Sequence, residues 1–191
     1  MKENILLIGG GGHCKSVIDI IELENKYTIA GIIDKKELIG NHVLGYNIIG
    51  TDDDVAHLRE KFSHAIVTVG HIKSNTARIK LFNLLKKLDF YMPLIVSPLA
   101  YVSKHAQVDE GTIVMHHAFI NADAKVGKNC IINSKALIEH DALIEDNCHI
   151  STGAIINGGV IVKKNTFIGS NVTSKEFIEI NRFTKAGVVA K

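Results

Sequence analysis

The clearest pattern along this chain is a six-residue repeat of branched aliphatic residues in its second half. Counting in sixes from Val96 to Ile168 meets Val or Ile at all thirteen positions. A second series, two residues earlier in each repeat, holds mainly small residues such as Ala118 and Ala136. A helix would repeat its apolar positions every 3.6 residues and a strand every two. The hexapeptide period instead predicts a parallel β-helix, in which three six-residue sides form one triangular coil around a Val and Ile core.

The first ninety or so residues follow a different pattern, in which apolar strands alternate with helical segments. We predict strands at 4–8, 27–33 and 65–69, and helices at 13–23, 52–59 and 75–88. This alternation is typical of a small parallel sheet and predicts an α/β, Rossmann-like unit. The predicted domains are therefore residues 1–92 and residues 93–191. Beyond Ile168 the core series weakens: Ser174 takes a core position, Ile180 and Ala186 partly resume it, and we expect a frayed or capping last coil.

The residue before each core aliphatic should point outward, so these positions form one column on each side of the coil. The first column is Tyr101, Phe119, Leu137 and Ile155; the second is Gln107, Lys125, Leu143 and Ile161; the third is Ile113, Ile131, His149 and Phe167. The first and third columns are largely apolar, and a monomer should not expose two apolar stripes. We therefore predict a homotrimer, a closed ring that buries two sides of each coil, with His149 facing a neighbouring subunit.

Composition narrows the classes of partner and compartment. The formal net charge is +2 and no basic cluster is present, so we expect neither nucleic acid nor membrane as a partner. No apolar run approaches the roughly 18 residues of a membrane span, and the N-terminus shows no signal-peptide pattern. Three cysteines suggest no disulfide framework, and reduced thiols fit a cytoplasmic protein.

A run of four glycines, Gly9 to Gly12, stands between the first predicted strand and the first predicted helix. Glycines let the backbone approach a phosphate, and a helix N-terminus favours an anion. The dinucleotide fingerprint is incomplete because its third glycine falls at Lys15, so one nucleotide is easier to place than two. Asp34 ends the second strand, where such folds contact a ribose or base, and Gly70–His71 should face the same crevice. The alternative interpretation is a tight turn that binds no ligand.

His140 is followed by Asp141 and is expected at a coil corner, with Gly158 one coil above it. An imidazole beside a carboxylate is the arrangement of a general base, because the carboxylate fixes the tautomer and the orientation of the ring. The alternative is a solvated corner histidine without a role. Three other histidines, His105, His116 and His117, could supply a zinc site between subunits, but their scatter over different corners favours surface or interface positions, and we expect no metal.

These features together resemble the NeuD/PglD group of bacterial sugar acyltransferases. The resemblance rests on the glycine loop with His13, the strand ending in Asp34, the hexapeptide coils, and the segment 138–141. It implies a Rossmann-like nucleotide-sugar domain, a left-handed β-helix, a trimer, and acetyl-CoA as co-substrate. It also implies residue roles: catalytic, His140 and Asp141; acetyl-CoA-binding, Asn133, His149, Gly158 and Ser170; substrate-binding, Gly11, Gly12, His13, Asp34, Gly70 and His71.

The function expected from this resemblance is acetyl-CoA-dependent N-acetylation of a nucleotide-linked amino sugar, of the UDP-4-amino-dideoxy type, in bacterial glycan biosynthesis. One alternative is O-acetylation of sialic acid or a related nonulosonate. Another is a non-catalytic β-helix that acts as a scaffold or nucleotide-sugar sensor, which the absence of the family's Gly-x-Pro-Ala segment favours and the intact His140–Asp141 pair disfavours. A zinc hydratase is the third, and metal analysis would distinguish it.

Overall fold

The computed structural model describes residues 2–191. The chain forms two compact units that divide between Pro93 and Leu94. Each unit has its own apolar core.

The N-terminal unit is an α/β fold around a five-stranded sheet. Its elements in chain order are β1 (Glu3–Ile8), α1 (Gly12–Glu24), β2 (Tyr27–Ile33), β3 (His42–Val43), β4 (Tyr46–Gly50), α2 (Val55–Leu58), β5 (His64–Val67) and α3 (Thr76–Lys87). The strand order is β3-β4-β2-β1-β5, and only the β3–β4 pair is antiparallel. The predicted Rossmann-like alternation is confirmed.

Two features of this unit differ from the sequence-based expectation. Strands β3 and β4 form a hairpin in a segment that lacked a strand prediction, and its turn holds Leu44 and Gly45 at φ 48° and 88°. The predicted helix 52–59 is divided into a 3₁₀ turn, Asp52–Asp54, and α2. A capping box between Thr51 and Asp54 fixes the start of that turn, because each side chain satisfies a backbone group of the other.

The C-terminal unit is the predicted β-helix, and it is left-handed as the resemblance implied. Its sixteen two-residue strands, grouped by side, follow. The first side holds β7 (Tyr101–Val102), β10 (Phe119–Ile120), β13 (Leu137–Ile138), β16 (Ile155–Ile156), β19 (Thr173–Ser174) and β21 (Val189–Ala190). The second side holds β8 (Gln107–Val108), β11 (Lys125–Val126), β14 (Leu143–Ile144), β17 (Ile161–Val162) and β20 (Glu179–Ile180). The third side holds β6 (Ile95–Val96), β9 (Ile113–Val114), β12 (Ile131–Ile132), β15 (His149–Ile150) and β18 (Phe167–Ile168).

Parallel pairing stacks residues that are 18 positions apart, such as Phe119, Leu137 and Ile155. The predicted Val and Ile series fills the inside of the coil, where Ile120, Ile138 and Ile156 are fully buried. The small-residue series packs beside it and includes the buried thiols of Cys130 and Cys148, each of which contacts backbone carbonyl oxygens. The six-residue period therefore predicted this core correctly.

Three corners connect the sides, and each corner turn has two residues. The His140 corner joins the first side to the second through Ala122–Asp123, His140–Asp141, Gly158–Gly159 and Glu176–Phe177. The distal corner joins the second side to the third through Glu110–Gly111, Lys128–Asn129, Asp146–Asn147 and Lys164–Asn165. The Asn133 corner joins the third side to the first through His116–His117, Ser134–Lys135, Thr152–Gly153 and Ser170–Asn171. The second residue of every one of these turns has a positive φ, between 54° and 69°.

The end of the β-helix corrects the expectation for the last coil. Strands β19 and β20 keep the repeat, and Ser174 is buried with its hydroxyl accepting a hydrogen bond from the backbone N–H of Asn157. The next coil is shorter, because Ile168 pairs with Thr184 and Thr173 pairs with Val189, both 16 positions later. Thr184 is therefore buried where Ala186 was expected, and Ala186 is exposed.

The outward columns are also not equally available for an interface. Phe119 of the first column is exposed, whereas Ile113, Ile131, His149 and Phe167 of the third column are all buried within the single chain. The prediction of two exposed apolar stripes was therefore wrong for the third column. Only the first column leaves large apolar side chains, Tyr101 and Phe119, open to solvent.

Candidate functional site

The His140–Asp141 pair forms a hydrogen-bonded unit at its corner. The imidazole Nδ1 of His140 lies 2.7 Å from Oδ2 of Asp141, and the two side chains are 58% and 56% exposed. Asp141 adopts φ 61°, a conformation that Asp tolerates better than most residues, so the turn itself holds its carboxylate beside the imidazole. The pair is preformed and open to solvent, as a base that receives a substrate from outside must be.

The hydrogen bond to Asp141 raises the pKa of His140, and the negative charges of Asp141 and Glu139 add to this direction. Glu139 is held in place by Asn121, whose side-chain amide donates to its carboxylate at 2.7 Å. Since the Nδ1–H of neutral His140 donates to Asp141, the lone pair of Nε2 is left to accept a proton. The corner therefore has the electronic arrangement of a general base.

Gly158 lies directly over the imidazole, as the 18-residue stacking predicted. A β-carbon placed on Gly158 would lie 2.9 Å from Cε1 and 3.2 Å from Nε2 of His140. The backbone links the same two coils, because the N–H of Gly159 donates to the carbonyl of His140 at 3.1 Å. Only glycine at this position leaves the free nitrogen of the base uncovered.

The other predicted acetyl-CoA residues gather at the Asn133 corner. The side-chain amide of Asn133 lies 3.1 Å from Nε2 of His149, which is buried and packs edge-on against Phe167. Ser170 hydrogen-bonds to Ser151 across 3.0 Å. Asn133, His149 and Ser170 thus lie at one corner, and His140, Asp141 and Gly158 lie at the other end of the first side. Within one chain the structure does not bring these two groups together.

The six residues predicted to bind the substrate lie in the N-terminal unit, at the carboxyl ends of its parallel strands. Gly11 precedes α1, and Gly12 and His13 form its first turn without a side-chain cap. A β-carbon on Gly70 would lie 3.2 Å from Cβ of His13, so the end of β5 contacts the glycine loop. His71 follows and is buried. These residues meet at the edge of the sheet where ligands bind in such folds.

The closely packed glycines of the loop are not the two that the sequence singled out. Gly9 has φ 109° and no room for a β-carbon against Val69, and Gly10 donates its N–H to the carboxylate of Asp34. Asp34 also accepts the N–H of Lys35 at 2.8 Å, so it holds the loop in shape. Gly11 and Gly12 have open space around them, which leaves room for a ligand at the helix N-terminus.

A cavity of about 470 Å³ opens at the same edge of the sheet. It is lined by Gly9 and Asp34 together with polar residues that the sequence analysis did not select, namely Lys35, Lys36, Thr51, Asp52, Asp53 and Lys80. A smaller cavity of about 320 Å³ lies beside Asp141, and one of about 410 Å³ at the C-terminal end contains none of the predicted site residues. The N-terminal cavity has both cationic and hydrogen-bonding groups within reach of the glycine loop.

Comparison with known proteins relates these sites to a family. The family of the PglD N-terminal domain matches residues 4–85. The acetyltransferase domain of PglB from Neisseria gonorrhoeae superposes with a TM-score of 0.91 at 27% identity, covering 100% of this chain and 92% of that one. A variant of perosamine N-acetyltransferase from Caulobacter crescentus, in complex with CoA and GDP-perosamine, gives a TM-score of 0.72 at 29% identity, covering 97% and 92%.

The chain is thus similar over nearly its whole length to sugar N-acetyltransferases, and its residues 4–85 match the PglD N-terminal domain. The PglB domain has a further structure in complex with acetyl coenzyme A, which matches this chain at 26% identity with a TM-score of 0.85, covering 99% of this chain and 88% of that one. No match was found among curated proteins. The resemblance stated from the sequence and the acetyltransferase class are both confirmed.

Two features are absent from residues 2–191. No helix in this range is long and apolar enough to cross a bilayer. No three His, Cys, Asp or Glu side chains in the same range are grouped as metal ligands would be.

The N-terminal unit also contains structural residues around its glycine loop that sequence reasoning missed. The Thr68 hydroxyl donates to the carbonyl of Gly9 at 2.6 Å, and both groups are at the edge where the loop turns. The guanidinium of Arg78, buried on α3, donates to the carbonyls of Val67 and Val69 at 2.8 and 2.9 Å. Burial raises the pKa of the Cys14 thiol to about 11, which keeps it protonated. A buried arginine in an otherwise amphipathic helix has no distinctive sequence signal.

Proposed function

We propose that this protein transfers the acetyl group of acetyl-CoA to the amine of a nucleotide-linked amino sugar. The observation that carries the proposal is the preformed His140–Asp141 pair beneath Gly158, in a chain whose N-terminal unit places a glycine loop at a helix N-terminus. The perosamine N-acetyltransferase to which the chain is similar was crystallised with CoA and GDP-perosamine, which supports a nucleotide-sugar acceptor.

In the proposed reaction the sugar amine attacks the carbonyl carbon of the thioester. Nε2 of His140 takes the proton that the amine loses, and Asp141 stabilises the imidazolium that results. Backbone N–H groups near Gly158 steady the negative oxygen of the tetrahedral intermediate. The C–S bond then breaks, and the imidazolium returns the proton to the CoA sulfur. The products are the N-acetylated sugar nucleotide and CoA.

The proposed acceptor site is the sheet edge of the N-terminal unit. The diphosphate would lie at the start of α1, where Gly11 and Gly12 leave open space and the helix dipole favours an anion. Lys36 and Lys80 line the adjoining cavity and could pair with phosphate oxygens, although Asp52 and Asp53 line it as well. We propose a UDP-linked 4-amino-dideoxy sugar as the acceptor. GDP-linked amino sugars should be tested in the same assay.

The test is release of CoA thiol from acetyl-CoA with a panel of UDP- and GDP-linked amino sugars and with sialic acid. We expect release with an amino-sugar nucleotide and an N-acetylated product by mass spectrometry. Acetylation of sialic acid alone would replace the proposal with O-acetylation. Nucleotide-sugar binding without release from any acceptor would favour a non-catalytic sensor.

We further propose that the protein is a homotrimer, because the exposed first column would leave an apolar stripe on a monomer. Phe119→Glu should dissociate the assembly, since a charge there would be buried without a partner. Gln107→Glu, on the polar second column, is the control and should leave the mass unchanged. Light scattering at micromolar concentration measures both, and a folded wild-type monomer would contradict the proposal.

A further inference from the structure

Phe177 is a phenylalanine in a conformation that suits glycine or asparagine. It is the second residue of the last turn at the His140 corner, its φ is 54°, and its side chain is 79% exposed. At the distal corner the same position holds Gly111, Asn129, Asn147 and Asn165. A bulky residue at positive φ is a true outlier, and such strain is concentrated at ligand-binding sites. Neither backbone preference nor burial explains a phenylalanine here.

The ring of Phe177 lies against the backbone of Gly159, one coil below. A β-carbon on Gly159 would lie 2.3 Å from Cδ1 of Phe177, so the glycine leaves the space that the ring fills. The N–H of Phe177 donates to the carbonyl of Gly158 at 3.1 Å, which ties the aromatic turn to the glycine turn. The ring is therefore fixed against the corner while much of its surface stays open to solvent.

The His140 corner thus presents three successive coils with different surfaces. The first carries the base and its carboxylate, the second carries only the two glycines, and the third carries the phenyl ring. Coils stack at about 4.8 Å, so the three span roughly 10 Å along the corner. An extended ligand whose reacting end is at His140 would cross bare backbone and then pass the aromatic ring.

We propose that Phe177 is a positioning residue for acetyl-CoA, whose pantetheine arm packs against the phenyl ring. This inference rests on the proposed function. The thioester must lie near His140, and the arm attached to it is a chain of methylene, methyl and amide groups that suits an aromatic surface. Gly158, the predicted acetyl-CoA residue at this corner, lies on the C-terminal side of His140, and an arm that passes it would continue toward Phe177.

Phe177→Asn tests this inference without threatening the fold, because asparagine occupies the equivalent turns of the distal corner. The variant should have a Tm equal to or above that of the wild type, since it relieves the backbone strain. Calorimetric titration with CoA should show binding about two- to tenfold weaker, the range expected for loss of one aromatic contact. In turnover, KM for acetyl-CoA should rise by a similar factor, with kcat and the acceptor KM unchanged.

Leu44→Asn is the matched control. Leu44 is also an exposed apolar residue at positive φ, 59% exposed and followed by Gly45, but it lies in the β3–β4 turn. The change creates the Asn-Gly pair that such turns favour, so Tm should rise. Its affinity for CoA should equal that of the wild type.

These measurements distinguish a failure of the proposed Phe177 role from a failure of the proposed function. Equal CoA affinity of the wild type and Phe177→Asn overturns the role of Phe177 and leaves the proposed function standing. A rise in the acceptor KM alone assigns the ring to the sugar and overturns the assignment to CoA. If Phe177→Asn had a smaller mass in solution than the wild-type assembly, the ring would be an interface contact. That result would also overturn the proposed role of Phe177 in acetyl-CoA binding. Absence of CoA binding by the wild type would overturn the proposed function itself.

Discussion

The His140 corner and the distal corner share a backbone but differ in what their side chains do. At the distal corner the coils are joined to each other: Lys128 pairs with Glu110 at 3.0 Å, and Asn129 donates to Asn147 at 2.8 Å. At the His140 corner the turn's own bond, between His140 and Asp141, stays within one coil. The β-helix frame therefore accepts varied turn residues, so one corner can stabilise the stack while another is available for chemistry.

The largest expected contrast comes from removing one side chain at each corner. His140→Ala should lower kcat by about 10²–10⁴-fold, the usual contribution of a general base, with little change in acetyl-CoA affinity. Its free energy of unfolding should be nearly unchanged, because the side chain is exposed. Steady-state kinetics and denaturant unfolding measure the two effects.

Asp146→Ala is the matched change at the distal corner. Asp146 accepts the N–H of Lys128 at 2.8 Å, so its loss should cost about 1 kcal/mol of stability and leave kcat unchanged. Full activity of His140→Ala would show that His140 is a solvated corner residue without a role in catalysis. Loss of activity in Asp146→Ala at a temperature where it is folded would remove the contrast between the corners.

A smaller effect should follow from adding one methyl group above the base. In Gly158→Ala the new carbon would lie 2.9 Å from Cε1 of His140, so the imidazole must move. A displacement of this size should lower kcat by about 10- to 100-fold while the coils stay folded. Lys164→Ala, at the equivalent turn position of the distal corner, is the control and should match the wild type. Unchanged kcat in Gly158→Ala would show that the imidazole position does not limit the reaction.

The smallest expected effect concerns the pH profile. His140 acts as a base only when it is neutral, so activity should rise with pH through its pKa. The bond to Asp141 raises that pKa above the ordinary histidine value of about 6.5, so the midpoint should lie above 6.5. Asp141→Asn keeps a residue suited to positive φ but removes the charge. The midpoint should then move to lower pH, with kcat on the alkaline plateau reduced by roughly tenfold or less.

A midpoint that does not move in Asp141→Asn would mean that Asp141 serves the turn and not the base. Asp141→Ala distinguishes these roles further. It removes the charge and also disfavours the positive φ, so it should lose about 1–2 kcal/mol of stability that Asp141→Asn retains.

The coil could be predicted from the sequence because its period dictates both core and stacking. Counting in eighteens along the sequence is enough to place Gly158 over His140. The same counting failed for the third column, since a period gives the direction of Ile131 but not what covers it. It also failed after Ile168, where a coil shortened by two residues moves Thr184 into the position expected for Ala186.

The N-terminal site was less predictable because it depends on contacts between segments distant in sequence. The glycine run correctly marked the edge of the sheet, yet the closely packed positions are Gly9 and Gly10 rather than Gly11 and Gly12. Val69 leaves no room for a side chain at Gly9, and Asp34 accepts the N–H of Gly10. Both residues follow other strands of the sheet, far from the glycine run in sequence. The roles of the predicted site residues in both units stay predictions until the variants are measured.

The in-register stack has a consequence for how distance along the chain relates to distance in space. Eighteen residues in extended form would reach about 60 Å, yet one coil advances only about 4.8 Å, a compression of more than tenfold. Substitutions 18 positions apart should therefore be energetically coupled in double-mutant cycles, whereas outward-facing substitutions six positions apart, on different sides, should be nearly additive. Gly158 is thus a nearer neighbour of His140 than Ile144 is, although the sequence places it more than four times farther away.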